Sequence, residues 1–229
     1  MADGYAIQQE LVAMLLADGE RVVGYKAGLT SEPMQEMFGV STPDYGPVMA
    51  STVFPDGAIL PTRTFIDPKM EAEIVFRLSS GLRGPGVTNE QARDAIGEVL
   101  AGLEIVDSRI EDWRIGLADT VADLASAGAI VVGAPVELTA EVDPRLIGCV
   151  FSRNGRVVAT GAGAAALGDP VTVVAWLANQ LGEHGIALES GHLIFTGALH
   201  AAVPLCPGDE FVAEFDRLGS VAVRGSERV

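Results

Sequence analysis

The sequence predicts an α+β fold. Four stretches combine apolar residues at helical spacing with helix start or stop chemistry, and strand patterns outnumber them in the second half of the chain. Glycine is frequent, at 27 residues, and aromatics are few, at 6%, as many tight turns require. Of the 229 residues 48% are hydrophobic, enough to bury a substantial core, and no linker divides them. One catalytic-size domain over residues 1–229 is therefore expected.

Ile7, Leu11, Val12, Leu15 and Leu16 recur at helical spacing, which predicts an amphipathic helix from about 5 to 17 ending near Gly19. A short strand over Val22–Thr30 follows, with Lys26 between Gly24 and Gly28. Its ammonium either snorkels to water or, partly buried, serves as an electrostatic or proton-transfer group. Ser31-Glu32-Pro33 starts a helix with Met34, Met37 and Phe38 as its apolar face and Gly39 as its stop. Asp44 sits in Pro43-Asp44-Tyr45-Gly46, a turn in which an aspartate commonly caps local backbone groups. Asp56-Gly57 marks a turn between short strands.

Pro68–Phe76 reads as a strand, so Glu71, Glu73 and Val75 share one face while Ala72, Ile74 and Phe76 take the other. Two residues of rise place the carboxylates roughly 6.6 Å apart at Cα. Such a pair is either a solvated strand face or half of a site for a hard divalent cation, which relieves the repulsion of like charges. Thr88-Asn89-Glu90-Gln91 is a capping-box pattern, and Ala92, Ala95, Ile96, Val99, Leu100 and Leu103 predict that the helix it starts continues to residue 103. That helix delivers Glu104 into the apolar run Leu103–Val106, where a buried carboxylate needs a partner or a metal, so Glu104 is the natural third ligand. Asp107 and Arg109 are expected to pair and brace the site.

Asp119–Gly128 is rich in small residues ahead of a strand at 129–133, allowing a substrate close to the backbone. Asn154-Gly155 predicts a two-residue hairpin between 149–152 and 156–159, and Asp169-Pro170 caps a helix running to Gly185. Strands at 193–197, 211–215 and 220–223 complete the chain. Cys149 and Cys206 lack redox or metal-ligand spacing and are expected to be buried free thiols; His184, His192 and His200 stand near no nucleophile motif and are expected to be structural.

A net charge of −16 argues against a nucleic-acid partner, whose phosphates call for clustered Lys and Arg. No apolar run approaches the ~20 residues of a membrane helix, and Met-Ala-Asp-Gly lacks the pattern of a signal peptide, so a cytoplasmic location with no membrane partner is expected.

Taken together, Gly24–Thr30, Pro43–Gly46, Glu71-Ala72-Glu73, Leu103–Ile110, Asp119–Asp123, Thr196–Leu199 and Pro207-Gly208-Asp209 resemble the 2-keto-4-pentenoate hydratase family of the fumarylacetoacetate hydrolase superfamily. The resemblance spans nearly the whole chain and implies a mixed-β fold with peripheral helices. It implies Mg or Mn on Glu71, Glu73 and Glu104, catalytic roles for Lys26 and Asp44, and substrate contact at Ser126. The implied activity is hydration of a 2-hydroxy-2,4-dienoate to a 4-hydroxy-2-oxo acid in meta-cleavage degradation of aromatic compounds. A 4-oxalocrotonate-type decarboxylase, an acylpyruvate hydrolase and a catalytically silent partner subunit are the alternatives. A homo-oligomer is expected, because strand edges must be covered, and a complex with a related decarboxylase or aldolase fits the same family. Two positions depart from its pattern, Leu124 in place of Asn and His200 in place of a small residue. The Lys26 motif also falls early, as if the N-terminal helical part were shorter than in the family.

Overall fold

Fourteen strands among the described residues fall into two sheets. The structure, a computed structural model, describes residues 2–226; the side chains of Ala2, Met37 and Phe38 lie outside the described residues. The strands are β1 (Val22–Gly28), β2 (Asp44–Met49), β3 (Val53–Pro55), β4 (Ala58–Leu60), β5 (Lys69–Leu78), β6 (Ile96–Val106), β7 (Ala127–Val132), β8 (Val136–Glu137), β9 (Gly148–Arg153), β10 (Arg156–Ala162), β11 (Leu193–Ala198), β12 (Val203–Pro204), β13 (Glu210–Phe215) and β14 (Gly219–Gly225). The helices are α1 (Ala2–Ala17), α2 (Glu32–Phe38), α3 (Asn89–Ala95), α4 (Leu117–Ala122) and α5 (Pro170–Glu183).

The larger sheet runs β2-β1-β11-β5-β6-β7-β3, with β12 and β8 appended to β5 and β6. Its β1–β11 and β3–β7 pairs are parallel and the rest antiparallel, giving the mixed-β fold expected. The end strands β2 and β3 are joined by a single 3-10 turn, Ala50–Thr52, so the sheet curls on itself. Inside the curl Val48, Val75, Leu100, Ile130, Leu193 and Phe195 pack together. On the outer face Ile74, Phe76, Leu103 and Ile105 form one core with Phe151, Phe211, Val221 and Val223 of the second sheet, β10-β9-β13-β14-β4, and with Leu177 and Leu181 of α5. The alternation predicted for β5 therefore holds: its even residues join the core between the sheets and its odd residues face the inside of the curl.

Several expectations are corrected. The capping box at Thr88 and Gln91 forms, but α3 ends at Ala95 and residues 96–106 are strand. That run is buried on both faces of the sheet, so its apolar residues carry no helical period that differs from a strand's. Gly102 suits the sheet: a Cβ there would run into the Val75 side chain of the paired strand. Helix α1 spans the predicted residues, yet Ile7 is 57% and Leu16 46% exposed, and the side that faces the protein presents Gln8. Gln8 Nε2 donates to the carbonyls of Tyr45 (3.0 Å) and Val121 (2.8 Å), which tie the helix to β2 and α4. Met34 of α2 is exposed; the rest of its predicted apolar face, Met37 and Phe38, falls on side chains outside the described residues. Cys149 is buried as expected, but Cys206 is exposed at a turn where its N–H is taken by Asp209. The Asp56-Gly57 turn links β3 and β4 across the two sheets, with Asp56 accepting from Ala222 N. The Asn154-Gly155 hairpin and the Asp169 cap form as predicted.

Candidate active site

Strand pairing assembles the acidic centre. Glu71 and Glu73 lie on the inner side of β5, and the β5–β6 register sets Glu104 directly opposite Glu71 and Gly102 opposite Glu73. One carboxylate oxygen of each glutamate lies within 4.8 Å of the others. Glu73 and Glu104 are each 1% exposed, whereas Glu71 is partly open to solvent. Glu73 Oε2 accepts from Gly197 N at 2.8 Å. Both oxygens of Glu104 are buried without a hydrogen-bond partner; Lys26 Nζ stands 3.1 Å from Oε1 as an ion pair outside hydrogen-bond alignment.

Lys26, on the inner side of β1, is buried and donates to the Ala125 carbonyl at 2.8 Å. That carbonyl sits in a left-handed turn: Leu124, Ala125 and Ser126 have φ of 55°, 54° and 54°. Three consecutive non-glycine residues in this region cost roughly 1–2 kcal/mol each, and such strain persists where the surroundings over-determine it. Ser126 is buried one residue beyond, with its Oγ 3.0 Å from Thr120 Oγ1 and its carbonyl accepting from Asp107 N. Asp44 begins β2, opposite Gly28 of β1, and is buried with Oδ1 unpartnered; a Cβ on Gly28 would collide with that oxygen. The aspartate therefore does not cap a turn. Its neighbour Tyr45 is clamped from α1 on both backbone groups, with Tyr5 Oη accepting its N–H (3.2 Å) and Gln8 donating to its carbonyl.

The electrostatics follow from burial. Burial first, and then Glu104, push the Glu71 carboxyl up to about 7 against the opposing pull of Lys26 and Lys69. Glu73 is raised well above the ordinary carboxylate range by burial, Glu104 and Glu71. Asp44 is also raised, by burial and Glu104, with Lys26 opposing. Burial would lower the Lys26 pKa, but Glu104, Asp44, Glu71 and Glu73 together outweigh it and hold the ammonium charged. Three clustered carboxylates with two orphaned buried oxygens are a costly arrangement when uncompensated. A hard divalent cation, which takes oxygen ligands, satisfies them, so the donor set fits Mg or Mn.

The expected Asp107–Arg109 pair does not form. Asp107 instead accepts from the backbone N–H groups of Ile66 and Asp67 just before β5, and Arg109 pairs with Asp123 while donating to the carbonyls of Asp107, Asp123 and Ala127. Both residues still brace the site, by separate routes. The sequence reading assigned no role to Gln8, Tyr5, the Ala125 carbonyl or the Gly197 N–H. His200 has a specific structural role: Nε2 accepts from Ala72 N (3.2 Å), between the two glutamates, while Nδ1 lies 2.8 Å from the Ala201 carbonyl and the ring stacks on Phe151. Among the described residues the acidic triad is the one cluster of potential metal ligands. A surface cleft of about 510 Å³ near Asn89, Arg93 and Arg145 includes none of these residues.

Residues 23–224 match the model of the fumarylacetoacetate (FAA) hydrolase C-terminal family. The chain is 40% identical to a 2-hydroxyhexa-2,4-dienoate hydratase of Comamonas testosteroni over 98% of its own length and 86% of that protein's. It is 46% identical to a 2-hydroxypent-2,4-dienoate hydratase of Pseudomonas putida, covering 81% of this chain and 84% of the relative. Its structure superposes with a TM-score of 0.95 on 4-oxalocrotonate decarboxylase from Pseudomonas putida G7 complexed with magnesium and adipate, at 40% identity over 98% of this chain and 85% of the other.

Proposed function

The chain belongs to the fumarylacetoacetate hydrolase family, and on that premise we propose that it is a divalent-metal-dependent hydratase that adds water to a 2-hydroxy-2,4-dienoate, giving a 4-hydroxy-2-oxo acid in aromatic meta-cleavage catabolism. The observation that carries the proposal is the Glu71–Glu73–Glu104 triad, with its unpartnered Glu104 oxygens beside Lys26. The 40–46% identity to named hydratases supports the reaction type.

Glu71, Glu73 and Glu104 would hold the cation. When bound, Mg or Mn would supply Lewis-acid stabilisation of the negative charge that develops on the 2-oxygen as water adds at C4 of the conjugated 2-oxo acid. Lys26, kept charged by its acidic neighbours, balances Glu104 and offers a donor in a pocket sheltered from water. Asp44, with a raised pKa and a free Oδ1, holds and releases a proton nearer neutrality than an exposed aspartate does. The reaction needs a proton at C5 and water at C4, and these two residues are assigned the proton traffic. Ser126, on the turn that anchors Lys26, is assigned to substrate contact.

A 4-oxalocrotonate-type decarboxylase is the second reading, favoured by the 0.95 superposition; it requires the same enolate stabilisation. The apolar core that the two sheets share supports one catalytic domain, and the two free thiols suit a cytoplasmic setting. We extend the proposal to a homo-oligomer that covers the exposed edge strand β10, where Val157 and Val158 face solvent. Among the described residues no helix is long and apolar enough to cross a membrane. The test follows the loss of dienoate ultraviolet absorbance with Mg or Mn. Turnover without carbon dioxide supports hydration, carbon dioxide release supports the second reading, and silence across several dienoates refutes both.

A further inference from the structure

Helix α1 supplies nothing to the acidic triad, yet one side of it reaches both segments that carry the proton traffic. Gly4, Tyr5 and Gln8 are spaced i, i+1 and i+4, which brings them to that side. A Cβ on Gly4 would stand 2.8 Å from the Ala118 carbonyl, so α1 lies here against the backbone of α4 with no side chain between. One turn along, Gln8 is 4% exposed and spends both amide N–H groups, one on the Tyr45 carbonyl and one on the Val121 carbonyl.

Each carbonyl needs an outside donor. Helix α4 ends at Ala122, and the last carbonyls of a helix have no partner within it. The N–H four residues on from Val121 belongs to Ala125, whose left-handed backbone does not extend the helix. Gln8 supplies the missing donor from another element, at the entrance to the strained turn whose Ala125 carbonyl holds Lys26 Nζ. Its second bond goes to β2, the end strand of the sheet, at the residue after Asp44. Tyr5 takes the N–H of that same residue, and its ring stacks on Tyr45 with centroids 4.4 Å apart. β2 and the turn also meet directly, since a Cβ on Gly46 would collide with the Leu124 carbonyl.

We propose that Gln8 is a positioning residue: its one amide fixes the strand that bears Asp44 relative to the turn that anchors Lys26, with Tyr5 as a second post on the Asp44 side. Strain in three left-handed residues persists only where the surroundings over-determine it, and Gln8 is part of those surroundings. Two groups that move protons to and from one substrate need a fixed separation, because a misplacement of about 1 Å costs on the order of a hundredfold in rate. The inference rests on the proposed assignment of proton traffic to Lys26 and Asp44.

The test uses Gln8→Met, close in length but without a donor, and Tyr5→Phe, which removes only the hydroxyl. Amide hydrogen exchange followed by mass spectrometry should show Gln8→Met exchanging faster by on the order of tenfold at 44–46 and at 123–126 together. Tyr5→Phe should loosen 44–46 alone, and residues 70–76 of β5 should be unchanged in both. With Mn and a dienoate well below melting, kcat of Gln8→Met should fall by on the order of tenfold while KM and Mn affinity change by less than about twofold. Should Gln8→Met fail to fold, Gln8→Asn, which withdraws the amide by one methylene, should give the same pattern at smaller amplitude. Faster exchange confined to α1, or a lower melting temperature with kcat unchanged, reduces Gln8 to a structural residue and overturns the inference. Exchange does not depend on turnover, so a wild-type protein that turns over no dienoate, while Gln8→Met loosens both segments, refutes the hydratase reading and upholds the bridge.

Discussion

Replacing Glu73 by Gln should stabilise the metal-free protein. The substitution keeps the shape and leaves a carbonyl oxygen to accept the Gly197 N–H, but removes one of three charges packed within 4.8 Å. The scale of the cost of a charge in this cluster can be read at Glu71, whose pKa rises from its ordinary 4.5 to about 7, by burial first and then by the Glu104 charge. At 1.36 kcal/mol per unit this is about 3 kcal/mol. A carboxyl whose folded pKa lies above its unfolded value holds its proton longer in the native state. Stability is then fully present below about pH 4.5 and is lost as pH rises to about 7. In EDTA, wild-type protein should melt lower at pH 7.5 than at pH 5. At pH 7.5 the variant should exceed the wild type by about 1–3 kcal/mol, or about 3–10 °C for a chain of this size. Saturating Mn should reverse the order, since metal at a hundredfold its dissociation constant adds about 2.7 kcal/mol to the wild type and much less to the variant. Wild-type melting unchanged by EDTA, Mn and pH, with the variant no different, would refute the reasoning.

Lys26→Met should remove turnover and, in EDTA, cost about 3–5 kcal/mol in urea denaturation, because Glu104 is left buried without a countercharge. Ala125→Gly should raise the unfolding free energy, read by urea denaturation, by about 1 kcal/mol, since glycine adopts φ near 54° without strain. His200→Ala should destabilise by about 1–3 kcal/mol, because the Ala72 N–H loses its acceptor; Mn titration should show weaker binding as the β5 backbone between the glutamates loosens.

What the sequence made legible was local. The alternation of β5 put Glu71 and Glu73 on one face, and the Asn154-Gly155 and Asp169-Pro170 signals marked a hairpin and a helix start. Glu104 was found as a carboxylate in an apolar run, but its route to the site was misread: it arrives by strand register opposite Glu71, and a doubly buried strand leaves no period by which to recognise it. The face of α1 that meets the protein was hidden for a related reason. Its docking rests on Gln8 and Tyr5 meeting backbone groups of Tyr45 and Val121, up to 113 residues away in sequence, whereas Ile7, Met14 and Leu16 face outward. Asp44 read as turn chemistry because Pro43 and Gly46 flank it; only the pairing with Gly28 shows it buried in a strand. The Asp107–Arg109 expectation assumed that nearness in sequence selects the partner, but tertiary placement gave each residue backbone groups or Asp123 instead.

The central claim is that Glu71, Glu73 and Glu104 form one divalent-cation site facing Lys26. A crystal of the protein grown with Mn and measured at a wavelength where manganese scatters anomalously tests it directly. One strong peak is expected, bound by an oxygen from each of the three carboxylates at about 2.0–2.2 Å. Saturating Mn with no peak between these residues, their carboxylates instead protonated and bonded to one another, would contradict it.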